Sequence, residues 1–85
     1  MAHGVRVRFF AQAREAVGAR ELLRPLPKGR GSVAAVLRDL TREFPRLAPV
    51  LRSCRFVRNG EYVPDRSTNL ADGDELGIHP PYSGG

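Results

Sequence analysis

Residues 32–45 read SVAAVLRDLTREFP, and this stretch divides the chain. Val33, Val36, Leu37, Leu40 and Phe44 recur at helical spacing, with Arg38, Asp39, Arg42 and Glu43 on the other face. Ser32 suits the N-cap, because its hydroxyl can accept from a free backbone N–H of the first turn. Pro45 cannot continue the helix. A helix from Ser32 to about Phe44 is therefore expected, with extended segments on both sides.

Before it, Val5 to Phe10 alternates apolar and basic, the pattern of a half-buried strand. Val5, Val7 and Phe9 point inward, and Arg6, Arg8 and Phe10 outward. Ala11 to Val17 is Ala-rich and closes at Gly18, which suits a short helical turn. Arg20 to Leu26 is a second strand, paired with the first as a hairpin and ended by Pro25 and Pro27. Lys28 to Gly31 reads as a loop. After the helix, Arg46 to Leu51 adds one turn. Arg55–Arg58 and Glu61–Val63 flank Asn59-Gly60, a pair suited to a type I′ hairpin. Asp72-Gly73-Asp74 is a turn in which Gly and Asp accept the required dihedrals. Glu75 to His79 is the last strand, with Leu76 and Ile78 inward, and Pro80-Pro81 stops further pairing. The order β-β-α-β-β-β implies an α+β fold of the β-grasp, or ubiquitin-like, kind. It has a mixed five-stranded sheet, one main helix, and the last strand parallel beside the first. Residues 1–80 form the domain and residues 81–85 a flexible tail.

Composition narrows the function. Eighty-five residues form one small domain, with 41% hydrophobic and 27% charged residues, as globular chains have. No apolar run reaches the roughly 18 residues of a membrane span. Met1-Ala2-His3-Gly4 lacks the apolar region of a secretory signal. Cys54 is the one cysteine, which excludes an internal disulfide and a multi-cysteine zinc site. A cytoplasmic protein is expected. The net charge of +5 comes from 13 arginines and one lysine, Lys28. The arginines are scattered from Arg6 to Arg66 and are not interleaved with exposed aromatics, so nucleic-acid binding is not indicated. There is no GxxxxGK[ST] phosphate loop and no Ser/His/Asp or Cys/His set, so independent turnover is not expected.

The sequence closes on Gly84-Gly85. Glycine has no Cβ and lies in slots too narrow for other residues. Such a terminal carboxylate can reach the α-phosphate of a nucleotide held by another protein. A carboxylate is a poor acyl donor, because oxide would have to leave. Its mixed anhydride with AMP has a good leaving group, which a nucleophile can displace, and a tether raises the local concentration of the activated terminus at an acceptor.

Taken together, VRFFAQAREAVG (residues 7–18), NGEYV (59–63), DGDEL (72–76) and HPPYSGG (79–85) resemble the MoaD family, the small sulfur-carrier subunits of molybdopterin synthases within the MoaD/ThiS group. The resemblance implies that Gly85, preceded by Gly84, is adenylated by a MoeB-type, E1-like enzyme that uses ATP. It is then thiocarboxylated with sulfur from a sulfurtransferase or cysteine desulfurase. The loaded tail enters a MoaE-type large subunit, in a heterotetramer, and gives sulfur to cyclic pyranopterin monophosphate. No cofactor is expected on the chain itself, and ATP belongs to the activating enzyme. Ser83 and Tyr82 lie in the inserting arm, where Tyr82 replaces a smaller aliphatic residue. Pro80 and Pro81 keep that arm extended. Phe10, Val63 and His79 are expected to share the outward face as an apolar docking patch. His79 departs from the apolar or aromatic residue usual in the family and introduces a titrating group. Cys54 reads as a small buried or half-buried apolar residue before a strand. Carriers for tRNA thiolation, thiamine or cysteine synthesis, and ubiquitin-like modifiers, share the tail and its activation.

Overall fold

The computed structural model describes residues 3–81. Alternation in the first strand holds: Val5, Val7 and Phe9 are buried, and Arg6 and Arg8 are exposed. The elements are β1 (Val5–Phe9), α1 (Ala11–Val17), β2 (Glu21–Arg24), β3 (Arg30–Ser32), α2 (Val33–Glu43), α3 (Leu47–Leu51), β4 (Arg55–Arg58), β5 (Glu61–Tyr62), β6 (Asn69–Ala71) and β7 (Glu75–His79). The main sheet has five strands in the order β2-β1-β7-β4-β5. β7 runs parallel to β1 and antiparallel to β4, so the last strand lies in the middle of the sheet. This is the expected β-grasp.

The helix of residues 32–45 forms as read. Ser32 Oγ accepts from the Ala35 amide at 3.1 Å. Val33, Val36, Leu37 and Leu40 are buried, and the helix ends at Glu43 with Phe44 as its cap. These side chains join Phe9, Leu47, Leu70, Leu76 and Ile78 in one core cluster. Burial of each large apolar side chain stabilises the fold by about 1.5–3 kcal/mol, before the entropy of ordering the chain is subtracted. Arg24, opposite Val5 on the edge strand, reaches down to this helix. Its guanidinium donates to Asp39 Oδ2 at 3.1 and 2.5 Å and to Glu43 Oε1 at 2.5 Å, which ties β2 to α2.

Two features depart from the expectation. Residues 30–32, read as the end of a loop and a cap, pair with Asn69–Ala71 in a second, two-stranded sheet. Each strand is three residues long, too short for alternation to register in the sequence. The second main-sheet strand is shorter than Arg20–Leu26. Leu26 leaves the ladder and is nonetheless buried. The first two strands pair antiparallel as expected, and α1 connects them where the short helical turn over Ala11–Val17 was expected.

The Asn59-Gly60 turn takes φ of 48° and 85°, as a type I′ turn requires. Its tip is stitched to the start of β7. Asp74 accepts from the Ala71 amide at 2.8 Å, Arg58 Nε at 2.9 Å and Asn59 Nδ2 at 2.9 Å. Burial works against the Asp74 carboxylate, but these donors outweigh it and hold its pKa below the ordinary 3.8. A depressed carboxylate contributes stability above its unfolded pKa and loses it as pH falls through the folded one. Asp74→Ala is therefore expected to cost about 1–3 kcal/mol in urea melts at pH 7. The gap between variant and parent should shrink as pH drops below 3.8; a gap that stays constant there would show that the carboxylate charge is irrelevant.

Candidate functional site

β7 is hydrogen-bonded on both sides, by β1 and by β4, so the segment that leaves it starts from the central strand of the sheet. It leaves at His79, followed by Pro80, which is buried, and Pro81, which is exposed. Pro80 and Pro81 border a shallow groove of about 170 Å³, closed by Gln12 after β1 and by Val50 and Ser53 near α3. Proline has no N–H to offer a neighbouring strand, so the ladder stops there.

Beside this exit the His79 ring stacks on Phe10, with centroids 4.2 Å apart and planes 14° from parallel. The Arg8 guanidinium sits 5.4 Å from the Phe10 centroid, within cation–π range. Gly77 makes the stack possible. A Cβ at that position would lie 2.8 Å from His79 Nε2 and 3.7 Å from Phe10 Cε2, so any side chain would push the imidazole away. Farther along the same face, Arg6 and Arg8 lie 3.7–4.0 Å from Glu21 and Glu75. These exposed pairs are worth little individually, but they balance charge around the aromatic stack.

Burial pushes the His79 pKa below the ordinary 6.5, and the neighbouring Arg8 adds to this. A histidine depressed in the folded state resists protonation there, so the unfolded chain binds the proton first. Its stability contribution is complete above 6.5 and is lost as pH falls from that value through the folded pKa. Thermal melts from pH 7.5 to 5 should show a decline that His79→Phe, which keeps an aromatic stack, reduces. An identical decline in that variant would assign the effect to other groups.

Phe10 and His79 come together as expected, next to Pro80 and Pro81. Val63 does not. It is 6% exposed and belongs to the core. The two-residue loop fixes the reason: it pairs Arg58 with Glu61 and Val57 with Tyr62. Val63 then falls beside the inward-facing Phe56, whose carbonyl accepts from the Val63 amide at 2.8 Å. The outward residue of this hairpin is Tyr62, 63% exposed. Counting across Asn59-Gly60 identifies Tyr62 from sequence alone. Gly77 carried no such signal. Tyr82, Ser83, Gly84 and Gly85 lie outside the described residues.

Cys54 is half-buried and its Sγ donates to the Val50 carbonyl at 3.1 Å. Burial raises the thiol pKa, with Arg66 opposing, so the reactive thiolate is disfavoured. Among the described residues no group of three or more His, Cys, Asp or Glu side chains could hold a metal, and no helix is long and apolar enough to cross a membrane.

The sequence profile of the ThiS family matches residues 7–85. A molybdopterin synthase sulfur carrier subunit from Chlamydomonas reinhardtii is 38% identical over 95% of this chain and 98% of its own. The small archaeal modifier protein 1 from Methanosarcina acetivorans superposes with a TM-score of 0.81 at 32% identity, covering 100% of this chain and 99% of that one. A chain in the complex of subunits 1 and 2 of molybdopterin-converting factor from Helicobacter pylori superposes with a TM-score of 0.67 at 26% identity, covering 95% and 97%. With the profile matched across nearly all of its length and a 38% identical relative covered almost end to end, this chain belongs to the ThiS family.

Proposed function

We propose that this chain is the sulfur carrier of a molybdopterin synthase and works with a larger subunit. The observation that carries the reading is the 38% identity, over nearly its whole length, to a relative of that name. The geometry agrees with it: a central strand anchors the segment leading to Gly85, and an aromatic stack stands beside the exit.

In this reading a carboxylate oxygen of Gly85 attacks the α-phosphorus of ATP on an E1-like enzyme and pyrophosphate leaves. The terminal sulfur of a persulfide, supplied by a sulfurtransferase or cysteine desulfurase, then displaces AMP to form an acyl disulfide. A thiol reductant cleaves its S–S bond, leaving the thiocarboxylate on Gly85 and a disulfide on the donor. The thiocarboxylate is delivered to a MoaE-type subunit, where two such transfers complete the dithiolene of molybdopterin from its cyclic precursor. The chain acts as co-substrate, and the face around Phe10, His79 and Tyr62 docks on its partners.

The test is intact mass spectrometry after incubation with ATP, a sulfur source and an E1-like enzyme, followed by addition of a large subunit and cyclic pyranopterin monophosphate. A mass gain equal to exchange of one oxygen for sulfur, followed by molybdopterin formation, supports the reading. Absence of the gain on an intact chain refutes it. The likeness to an archaeal modifier favours a second reading, in which Gly85 forms isopeptide bonds with target lysines. That reading requires adducts of this chain on other proteins, of which the first makes none; Lys28 is the one lysine available for self-linked chains.

A further inference from the structure

At the other end of the sheet, a groove of about 290 Å³ opens between the β2–β3 connection and α2. Its floor is apolar, formed by Pro25, Leu26, Pro27 and Val36, and Arg38 and Arg42 stand along one side. The wall is held by Arg24, which pairs with both Asp39 and Glu43; these three groups carry a net −1, so Arg38 and Arg42 leave this side of the groove with a surplus of one positive charge. Arg38 and Arg42 are different. Both are exposed, and among the described residues neither forms an ion pair. They sit four residues apart on the helix surface, where like charges repel and stabilise nothing in the isolated fold.

We propose that this groove docks a short acidic and apolar segment of a partner protein. A carboxylate of the segment pairs with Arg38 and Arg42 while a neighbouring apolar side chain seats on Leu26 and Val36. The surplus positive charge on the rim and the apolar floor together call for both properties in one ligand. The volume is at the small end of ligand pockets, suited to one or two side chains. The lining holds no aromatic on which a nucleic-acid base could stack.

The placement matters. Arg24 pairs with Val5, whereas the exit residues follow Ile78, the partner of Phe9. These positions are four residues apart along β1, about 13 Å. The groove also lies on the helix side of the sheet, away from the Phe10–His79 face. A partner held here leaves that face and the C-terminal segment free, so one protein can retain the carrier while another engages its terminus. Retention of this kind raises the effective concentration at the second site.

The test is an NMR titration of the full ¹⁵N-labelled chain with an octapeptide of alternating glutamate and leucine. Controls are the same peptide with lysine for glutamate, the same with serine for leucine, and an oligothymidylate. Saturable shifts at Leu26, Val36 and Arg38, from the first peptide only, are expected. Arg38→Glu combined with Arg42→Glu should raise Kd about tenfold or more while sulfur loading stays at the parent level, which separates this site from the carrier function. Arg38→Gln with Arg42→Gln serves if the first pair impairs folding. Shifts confined to the Phe10–His79 face, an unchanged Kd in the variants, equal binding of the serine peptide, or tighter binding of the oligonucleotide would each overturn the proposal.

Discussion

A chain lacking Gly85 gains no sulfur when incubated with ATP, a sulfur source and the activating enzyme. Deletion leaves a carboxylate on Gly84, so the chemical group survives and only its reach changes. One extended residue spans about 3.3–3.6 Å. Reacting atoms must approach to about 3–3.5 Å, and a displacement of even 1 Å can cost about 10²-fold in rate. Loss of at least that size is expected in the initial rate of loading, read by intact mass. The fold should be unaffected, since the core is built from residues 5–78, and an unchanged melting curve will verify it. Loading at a parental rate would mean that the terminal glycine is not the acyl site.

Phe9→Ala tests the fold at its centre. Phe9 is 2% exposed and pairs with Ile78 in the parallel ladder that holds the exit strand. Removing the ring forfeits its burial and leaves a cavity in a small core, at a cost of about 3–5 kcal/mol. For a domain of this size each kcal/mol shifts Tm by roughly 4–8 °C, so a fall of about 12–40 °C is expected. Total stability for such a chain is on the order of 4–13 kcal/mol, so the variant is marginal or unfolded at 37 °C. Tyr62→Ser is the control. That ring is 63% exposed, and the change should stay within about 0.5 kcal/mol. Differential scanning calorimetry on both variants decides the matter; a small shift for Phe9→Ala would mean that the core repacks around the gap.

Much of this was legible before the fold was known. The capped helix after Ser32, the inward set Val5, Val7 and Phe9, and the Asn59-Gly60 hairpin each follow from local rules, because capping, alternation and turn chemistry act within a few residues. Phe10 and His79 were placed together on one face for the same reason. Val63 was misplaced although the loop length contained the answer, since one residue of register reverses the face of every side chain.

The amino-acid order by itself determined the main helix and the strands of the five-stranded sheet, the β-grasp topology and the family, because periodicity and motif spacing are carried along the chain. Only the tertiary structure decided the rest. The β3–β6 sheet joins residues about forty apart that carry no pattern of their own. Gly77 matters because the His79 ring lies over it. Arg24 becomes a brace once Asp39 and Glu43 converge on it, and Arg38 and Arg42 stand out as the groove-lining charges that form no ion pair among the described residues. These are properties of through-space neighbours, and neighbours distant in sequence are set by packing the whole core at once.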